Sequence, residues 1–341
     1  MLMTEHGGNP LAFGNVTDFS ANINPMGISE SVRRAFIRSA DELEKYPDPY
    51  CIKLREKLAE RLNISEKNIV CGNGADDIIY RIVHAFRPHR ALICAPTFSE
   101  YSKALSECGC EITEHFLSEK NDFEVDSSLF EKLHDVDMFF LCSPNNPTGR
   151  TVSQDVLAET AEICLKRDIL LVCDESFLDF TDSKGIMPYI NGNAVILRSM
   201  TKTFAIPGVR LGYAVFGGTE KAEKTASAGQ FWSVSSPAQA CGIAALDESE
   251  YLIKSAAYIK TEREYLINEL EKYVEKVYPS DANFILFKAE NDLDDKLFSQ
   301  GILIRNCSNY SGLSSGFFRV AVRSHKENEL LINAFRRLRN G

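Results

Sequence analysis

The chain has 341 residues, and 38 Lys and Arg against 48 Asp and Glu leave a formal charge of −10. That balance argues against nucleic acid as a partner, because phosphate backbones are bound by basic faces. With 44% apolar and 25% charged residues, the composition is globular, with enough chain for one large core or two units; disordered, collagen-like and mucin-like readings are excluded.

The opening Met1-Leu-Met-Thr-Glu-His-Gly-Gly-Asn9 has no basic segment followed by a long apolar run. No secretion signal is expected, and a cytoplasmic location is. The longest apolar runs, such as Met138 to Cys142 and Ile169 to Cys173, have the length of buried strands and fall far short of the ~20 residues of a membrane span.

From about residue 65 to 216, six short runs read as strands buried on both faces: Asn68–Cys71, Ala91–Cys94, Met138–Cys142, Ile169–Cys173, Ala194–Leu197 and Leu211–Phe216. Between them Ile78, Ile79, Ile82, Val83 and Phe86 recur as one helix face, and Val156, Leu157, Thr160, Ala161 and Cys164 as another, at helical spacing. The alternation predicts an α/β fold with a mainly parallel sheet covered on both sides. Sites in that architecture lie beyond the carboxyl ends of the strands.

After Ser235 the character changes. A charged helical stretch from about Ser249 to Tyr273 precedes Asn283–Lys288, Gly301–Arg305 and Phe317–Val322, which read as strands. A last helix, about Lys326 to Leu338, sets Leu330, Leu331, Ala334, Phe335 and Leu338 on one face. The expected division is a large unit at 25–235 and a smaller α/β unit made from 1–24 with 236–341. The ten cysteines sit mostly in apolar runs, and the one close pair, Cys108 and Cys110, lacks metal-finger spacing. Free thiols and no metal site are expected.

Four stretches carry chemistry. In Val195-Ile-Leu-Arg-Ser-Met-Thr-Lys-Thr-Phe-Ala-Ile-Pro-Gly-Val-Arg-Leu-Gly-Tyr213, a strand ends in hydroxyls flanking Lys202, and Arg210 follows eight residues later. Leu170-Leu-Val-Cys-Asp-Glu-Ser-Phe177 puts Asp174 at the end of another buried strand, where an acid has no packing reason to sit. Phe140-Leu-Cys-Ser-Pro-Asn-Asn-Pro-Thr-Gly149 presents amide side chains at the same sheet edge, unless it is only a favourable turn. Cys71-Gly-Asn-Gly-Ala-Asp-Asp77 turns a strand into a helix whose first N–H groups could hold a phosphate; alone it is a weak signal, since it lacks the spacing of a nucleotide fingerprint.

Together these match the needs of pyridoxal phosphate: an amine for its carbonyl carbon, a carboxylate for its ring nitrogen, an Asn for its phenolic oxygen and a cradle for its phosphate. Over nearly its whole length the chain resembles the class I/II aminotransferase branch of fold type I pyridoxal-phosphate enzymes. The resemblance implies a seven-stranded, mainly parallel sheet in the large unit. It implies that Lys202 bonds the cofactor and moves protons at the substrate α-carbon, that Asp174 pairs with the ring nitrogen, that Asn146 bonds the ring oxygen, and that Phe98 in Pro96-Thr-Phe stacks on the ring. The phosphate would be held by Ser199, Thr201, Arg210 and the backbone at Gly74, Ala75 and Asp76. Tyr46 in Lys45-Tyr-Pro would reach the same phosphate across a homodimer interface, and Arg319 would grip the substrate carboxylate.

Within that branch, histidinol-phosphate aminotransferases usually carry Tyr at the fourth position of an Asp-Glu-Ala-Tyr motif, where this chain has Phe177. His6-Gly-Gly-Asn, Asp18-Phe-Ser-Ala-Asn-Ile-Asn-Pro25, Asp174-Glu-Ser-Phe-Leu-Asp-Phe180, Phe231-Trp-Ser-Val234, Ile304-Arg-Asn-Cys-Ser-Asn-Tyr-Ser-Gly312 and Phe318-Arg-Val-Ala-Val-Arg-Ser324 are similar to threonine-phosphate decarboxylases of cobalamin biosynthesis. The resemblance implies decarboxylation of threonine phosphate to aminopropanol phosphate, with a histidinol-phosphate or related aminotransferase as the alternative. For the substrate phosphate, His6, Asn24, Arg305 and Arg323 form the candidate pool. A non-enzymatic descendant of the fold is disfavoured by the intact Lys202, Asp174 and Arg210.

Overall fold

The computed structural model describes residues 6–9 and 14–340; the stretch 1–5 read above for a secretion signal lies outside them. In chain order the strands are β1 (Thr17–Asp18), β2 (Ile69–Gly72), β3 (Arg90–Ala95), β4 (Glu111–Phe116), β5 (Met138–Cys142), β6 (Leu170–Asp174), β7 (Ala194–Ser199), β8 (Gly212–Phe216), β9 (Lys276–Val277), β10 (Phe284–Lys288), β11 (Ile302–Leu303), β12 (Arg305–Asn306) and β13 (Phe317–Ala321). The helices are α1 (Glu30–Arg38), α2 (Ile52–Leu62), α3 (Ala75–Phe86), α4 (Glu100–Glu107), α5 (Gln154–Lys166), α6 (Met200–Thr203), α7 (Thr219–Ser227), α8 (Ser236–Ala245), α9 (Ser249–Leu270), α10 (Leu293–Phe298) and α11 (His325–Asn340).

Seven strands form one sheet in the order β2-β8-β7-β6-β5-β3-β4. All neighbours pair in parallel except β8, which is antiparallel to both β2 and β7. Successive residues of a strand face opposite sides of a sheet. Ile93, Phe140, Val172 and Val195 accordingly enter one buried cluster with Ile78, Ile79 and Ile82 of α3, whereas Leu92, Phe139, Leu171 and Ile196 enter another with Leu157, Ala161 and Cys164 of α5. With both faces covered, β5 is apolar throughout, β6 is apolar up to Asp174 and β7 up to Arg198 and Ser199, and the carboxyl ends of these parallel strands share one edge of the sheet.

β4 was not among the expected strands. Its sequence Glu111-Ile-Thr-Glu-His-Phe116 has no buried residue, because it lies at the sheet's edge, where charged residues suit a strand with one unpaired side. A four-stranded antiparallel sheet in the order β12-β13-β10-β9 packs with α9 and α11 around Ile259, Leu266, Phe284, Phe287, Phe318 and Phe335. The single strand expected over Gly301–Arg305 is two: Ile302 and Leu303 pair in parallel with Thr17 and Asp18, and Arg305 and Asn306 pair with β13. On α11 the buried set is Asn328, Leu331, Ile332, Ala334 and Phe335; Leu330, expected on that face, is turned outward and 46% exposed, being about 100° around the helix from Leu331.

Candidate active site

The carboxyl ends of β2, β3, β5, β6 and β7 open into a cavity of about 950 Å³. At its base β6 ends on Asp174, 4% exposed. One oxygen accepts from the Tyr101 hydroxyl (2.6 Å) and the other from the Ser176 N–H (2.9 Å), and among the described residues no cation pairs with it. Burial pushes its carboxyl above the usual range, against the pull of those two hydrogen bonds. Neighbouring β7 ends on Ser199, and the one-turn α6 that follows carries Lys202 into the same cavity. No hydrogen bond or ion pair holds Lys202 Nζ among the described residues. Burial lowers its ammonium below the usual lysine range; Arg210 and Arg319 push the same way, and Asp76 and Asp174 oppose them.

On the next side lies a candidate anion cradle. Ser199 and Thr201 hydroxyls are 2.6 Å apart and both buried. α3 begins at Ala75 and Asp76 with no side chain capping its start, which leaves first-turn N–H groups for an anion. Arg210 reaches that start, 3.3 Å from the Asp76 carboxylate. It can do so because Gly74 stands before the helix: at φ +90° it takes a left-handed conformation, and a Cβ there would come within 2.5 Å of the Arg210 guanidinium. Phe98, in the turn after β3, lines the cavity wall.

Across the cavity, Asn146 follows β5 and Arg319 projects from the middle of β13. Arg319 donates to Asn146 Oδ1 and to the Ser20 carbonyl (2.8 Å), and its buried Nε has no partner. Tyr310 donates to the same Asn146 oxygen at 3.4 Å, so the Asn146 amide nitrogen is left as a donor. Arg323 lines the cavity with its Nε buried and unpartnered, while its terminal nitrogen pairs with Glu327 at 2.5 Å. His6 also lines the cavity.

Two members of the expected phosphate-binding pool are not brought to the cavity. Asn24 is buried, but its amide donates to the Thr203 carbonyl and to Ser255 Oγ, both at 2.8 Å, and its oxygen accepts from the Met26 N–H; it ties the N-terminal segment to the end of α6 and to α9. The residue of that motif lining the cavity is Asn22, whose buried Oδ1 has no partner. Arg305 turns to the Asn306 carbonyl and Asn309 Oδ1 and lies over the Tyr310 ring. Tyr46 is 79% exposed and stacks on Trp232, ring centres 4.6 Å apart, outside this chain's own cavity. Sequence reasoning missed Asn22, Tyr101 and Tyr310. Tyr101 follows Phe98 at helical spacing; Asn22 and Tyr310 lie inside the motifs but were not singled out.

This donor set fits an anionic aromatic cofactor that carries a carbonyl and a basic ring nitrogen: an unpaired buried acid, an unpaired amine and a capless helix start converge on one space. The sequence pattern of the aminotransferase class I and II family matches residues 14–335. The chain belongs to this family. Its fold is that of the fold type I pyridoxal-phosphate enzymes, as the motifs imply. Among class I and II relatives, it is 37% identical to the threonine-phosphate decarboxylase of Salmonella typhimurium, with 100% of this chain and 98% of the relative covered. It is 35% identical to the histidinol-phosphate aminotransferase of Caldanaerobacter subterraneus subsp. tengcongensis, covering 93% of this chain and 92% of that one. The structure of the histidinol-phosphate aminotransferase from Clostridium acetobutylicum superposes with a TM-score of 0.89 at 30% identity, over 94% of this chain and 98% of that one.

Proposed function

We propose that the chain is a pyridoxal-phosphate enzyme that decarboxylates L-threonine O-3-phosphate to aminopropanol phosphate. Lys202 would bond the cofactor, Asp174 hold its ring nitrogen protonated, Asn146 its ring oxygen and Phe98 its ring face. Ser199, Thr201, Arg210 and the backbone at Gly74, Ala75 and Asp76 would hold its phosphate. When bound, the cofactor supplies an electron-accepting ring conjugated to the substrate nitrogen. Arg319 would orient the substrate carboxylate and Lys202 return a proton to the α-carbon once carbon dioxide has left.

The observation that carries this reading is the pair of arginines, Arg319 and Arg323, each keeping a buried, unpartnered Nε at the cavity. Two such groups suit a substrate with two anionic ends. Threonine phosphate has both, a carboxylate and a phosphate, on one molecule; histidinol phosphate has only the phosphate, and its amino acceptor, 2-oxoglutarate, would bring the two anionic ends in a separate half-reaction. The likeness to threonine-phosphate decarboxylase supports the same choice. Phe177 is consistent with it: the ring packs edge-on against Phe284 with centres 4.9 Å apart, and there is no hydroxyl to add to the cofactor's ring oxygen. For the substrate phosphate, His6, Asn22 and Arg323 replace the expected pool.

The same reading includes a homodimer in which Tyr46 completes the partner's phosphate cradle. It includes a cytoplasmic location, in keeping with ten unpaired cysteines, and the division into a cofactor unit at 25–235 and a smaller unit from 1–24 with 236–341, supported by the pairing of β1 with β11. Among the described residues no helix is long and apolar enough to cross a membrane, and no metal-ligand cluster is present. The deciding assay supplies O-phosphothreonine alone, and separately histidinol phosphate with 2-oxoglutarate. Carbon dioxide from the first and no glutamate from the second is the expected result; glutamate without carbon dioxide would assign an aminotransferase.

A further inference from the structure

Glu100 is the first residue of α4 and has no part in the cofactor cradle, yet it is 8% exposed and lines the cavity. Both its oxygens are taken: Oε1 lies 2.7 Å from His6 Nε2, and Oε2 accepts from the Tyr80 hydroxyl at 2.8 Å. Lys103, one turn along α4, stands 3.8 Å from Oε1. A carboxylate at a helix start is favourable in itself, but that accounts for neither the burial nor the partner. His6 belongs to no helix or strand. Its ring sits 5.5 Å from that of Phe98, and the two glycines after it press the backbone onto the far wall. A Cβ at Gly7 would fall 2.3 Å from the Ser20 carbonyl oxygen, and the Gly8 N–H donates to Ser20 Oγ at 2.9 Å. That same Ser20 carbonyl accepts from Arg319. Residues 6–8 therefore bridge two walls of the cavity, from α4 to the segment that steadies Arg319.

We propose that Glu100 is a positioning residue of the substrate site: it pins His6, and with it the strap of residues 6–8, across the cavity, so that the ring's other nitrogen is left for the phosphate end of the substrate. The imidazole spends Nε2 on the carboxylate, and among the described residues Nδ1 has no partner. Fixing one ring nitrogen decides which way the other faces. A carboxylate this close to a substrate anion would be repulsive if bare. His6 stands between the two, so Glu100 acts favourably only while His6 is present. This proposal rests on the reading of the cavity as a phosphorylated amino-acid site.

The test uses holoenzyme carrying Glu100→Gln, His6→Ala, both together, or Tyr80→Phe. Spectral titration with O-phosphothreonine and with threonine reads binding, steady-state assays separate KM from kcat, and hydrogen exchange reads protection of residues 6–8 without substrate. Glu100→Gln is expected to raise the O-phosphothreonine KM and dissociation constant about tenfold, the loss typical of one charge-assisted hydrogen bond. It should leave kcat within about twofold and threonine binding as it was, and it should deprotect the strap. The double variant should be no worse than His6→Ala alone, because neighbours acting through one contact are not additive. Additive losses, unchanged strap protection, or a Tyr80→Phe variant that reproduces the whole effect would overturn the proposal, leaving Glu100 a structural residue of the α3–α4 contact. If the parent holoenzyme does not prefer O-phosphothreonine to threonine, the substrate reading fails, while hydrogen exchange still decides whether Glu100 holds the strap.

Discussion

Asp174 and Lys202 are both displaced toward their uncharged forms, the acid upward and the amine downward, with burial the largest cause in each. For Asp174 the consequence is a stability penalty in the cofactor-free protein. Its folded value is raised above the ordinary 3.8, so its favourable contribution is complete only below that pH and is lost as pH rises through the folded value. As pH rises the carboxyl resists ionisation, because its charged form has hydrogen bonds but, among the described residues, no counter-charge, which a protonated ring nitrogen would supply. Asp174→Asn should therefore stabilise the cofactor-free protein at pH 7 by about 1 kcal/mol, with the advantage shrinking toward pH 4. It should also forfeit most of the rise in melting temperature that pyridoxal phosphate gives the parent. Melting curves with and without cofactor between pH 4 and 8 check this, and equal cofactor-free curves for parent and variant would refute it.

In the proposed cradle the start of α3 binds through its backbone, and Gly74 is what lets Arg210 close on it. In Gly74→Ala a side chain would be forced into the left-handed region and against the guanidinium at once. The expected outcome is a loss of about tenfold or more in affinity for pyridoxal phosphate, with affinity for pyridoxal, which lacks the phosphate, nearly unchanged. Absorbance titrations with both compounds measure it; equal losses would mean the substitution acts on the fold. The position of this proposed cradle is legible in the sequence because the strands beside it are apolar runs that give way to polar residues, as Leu170–Asp174 does at Asp174 and Ala194–Ser199 at Arg198 and Ser199. Period-two and period-3.6 patterns report burial, so they located β5, β6, β7 and α3 within a residue or two and passed over β4, whose exposed edge carries charges. The substrate side was harder for a different reason. Asn22 and Asn24 differ by two positions in one motif, and what separates their roles is that Asn24 meets Thr203 and Ser255, 179 and 231 residues away. Arg305 and Arg319 are opposite one another in the β12–β13 register, yet only the second faces the cavity, a distinction set by long-range packing.

On the surface of the whole molecule, Tyr46, Tyr50, Phe231 and Trp232 form a cluster of aromatic rings about half exposed or more, with Ile37 and Leu43 of the neighbouring α1 region also exposed. Contiguous apolar area of this kind marks an interface, in keeping with the proposed dimer. If Tyr46 serves the partner's cradle, mixing Lys202→Ala chains with Tyr46→Phe chains should produce heterodimers with one site carrying both defects and one carrying neither. Activity should then exceed that of either variant alone, approaching a quarter of the parent's for random pairing of equal amounts; a protein fully active as a monomer would rule the arrangement out. The bond from Arg319 to the Ser20 carbonyl spans 299 positions and has a consequence for synthesis. A ribosome has made every residue of the proposed cofactor cradle once β8 is complete at Phe216, whereas Arg319, proposed for the substrate carboxylate, emerges only with β13. Domains fold as they are made, N-terminal parts first, so on the proposed assignments the nascent chain would acquire the means to hold its cofactor about a hundred residues before it could recognise a substrate.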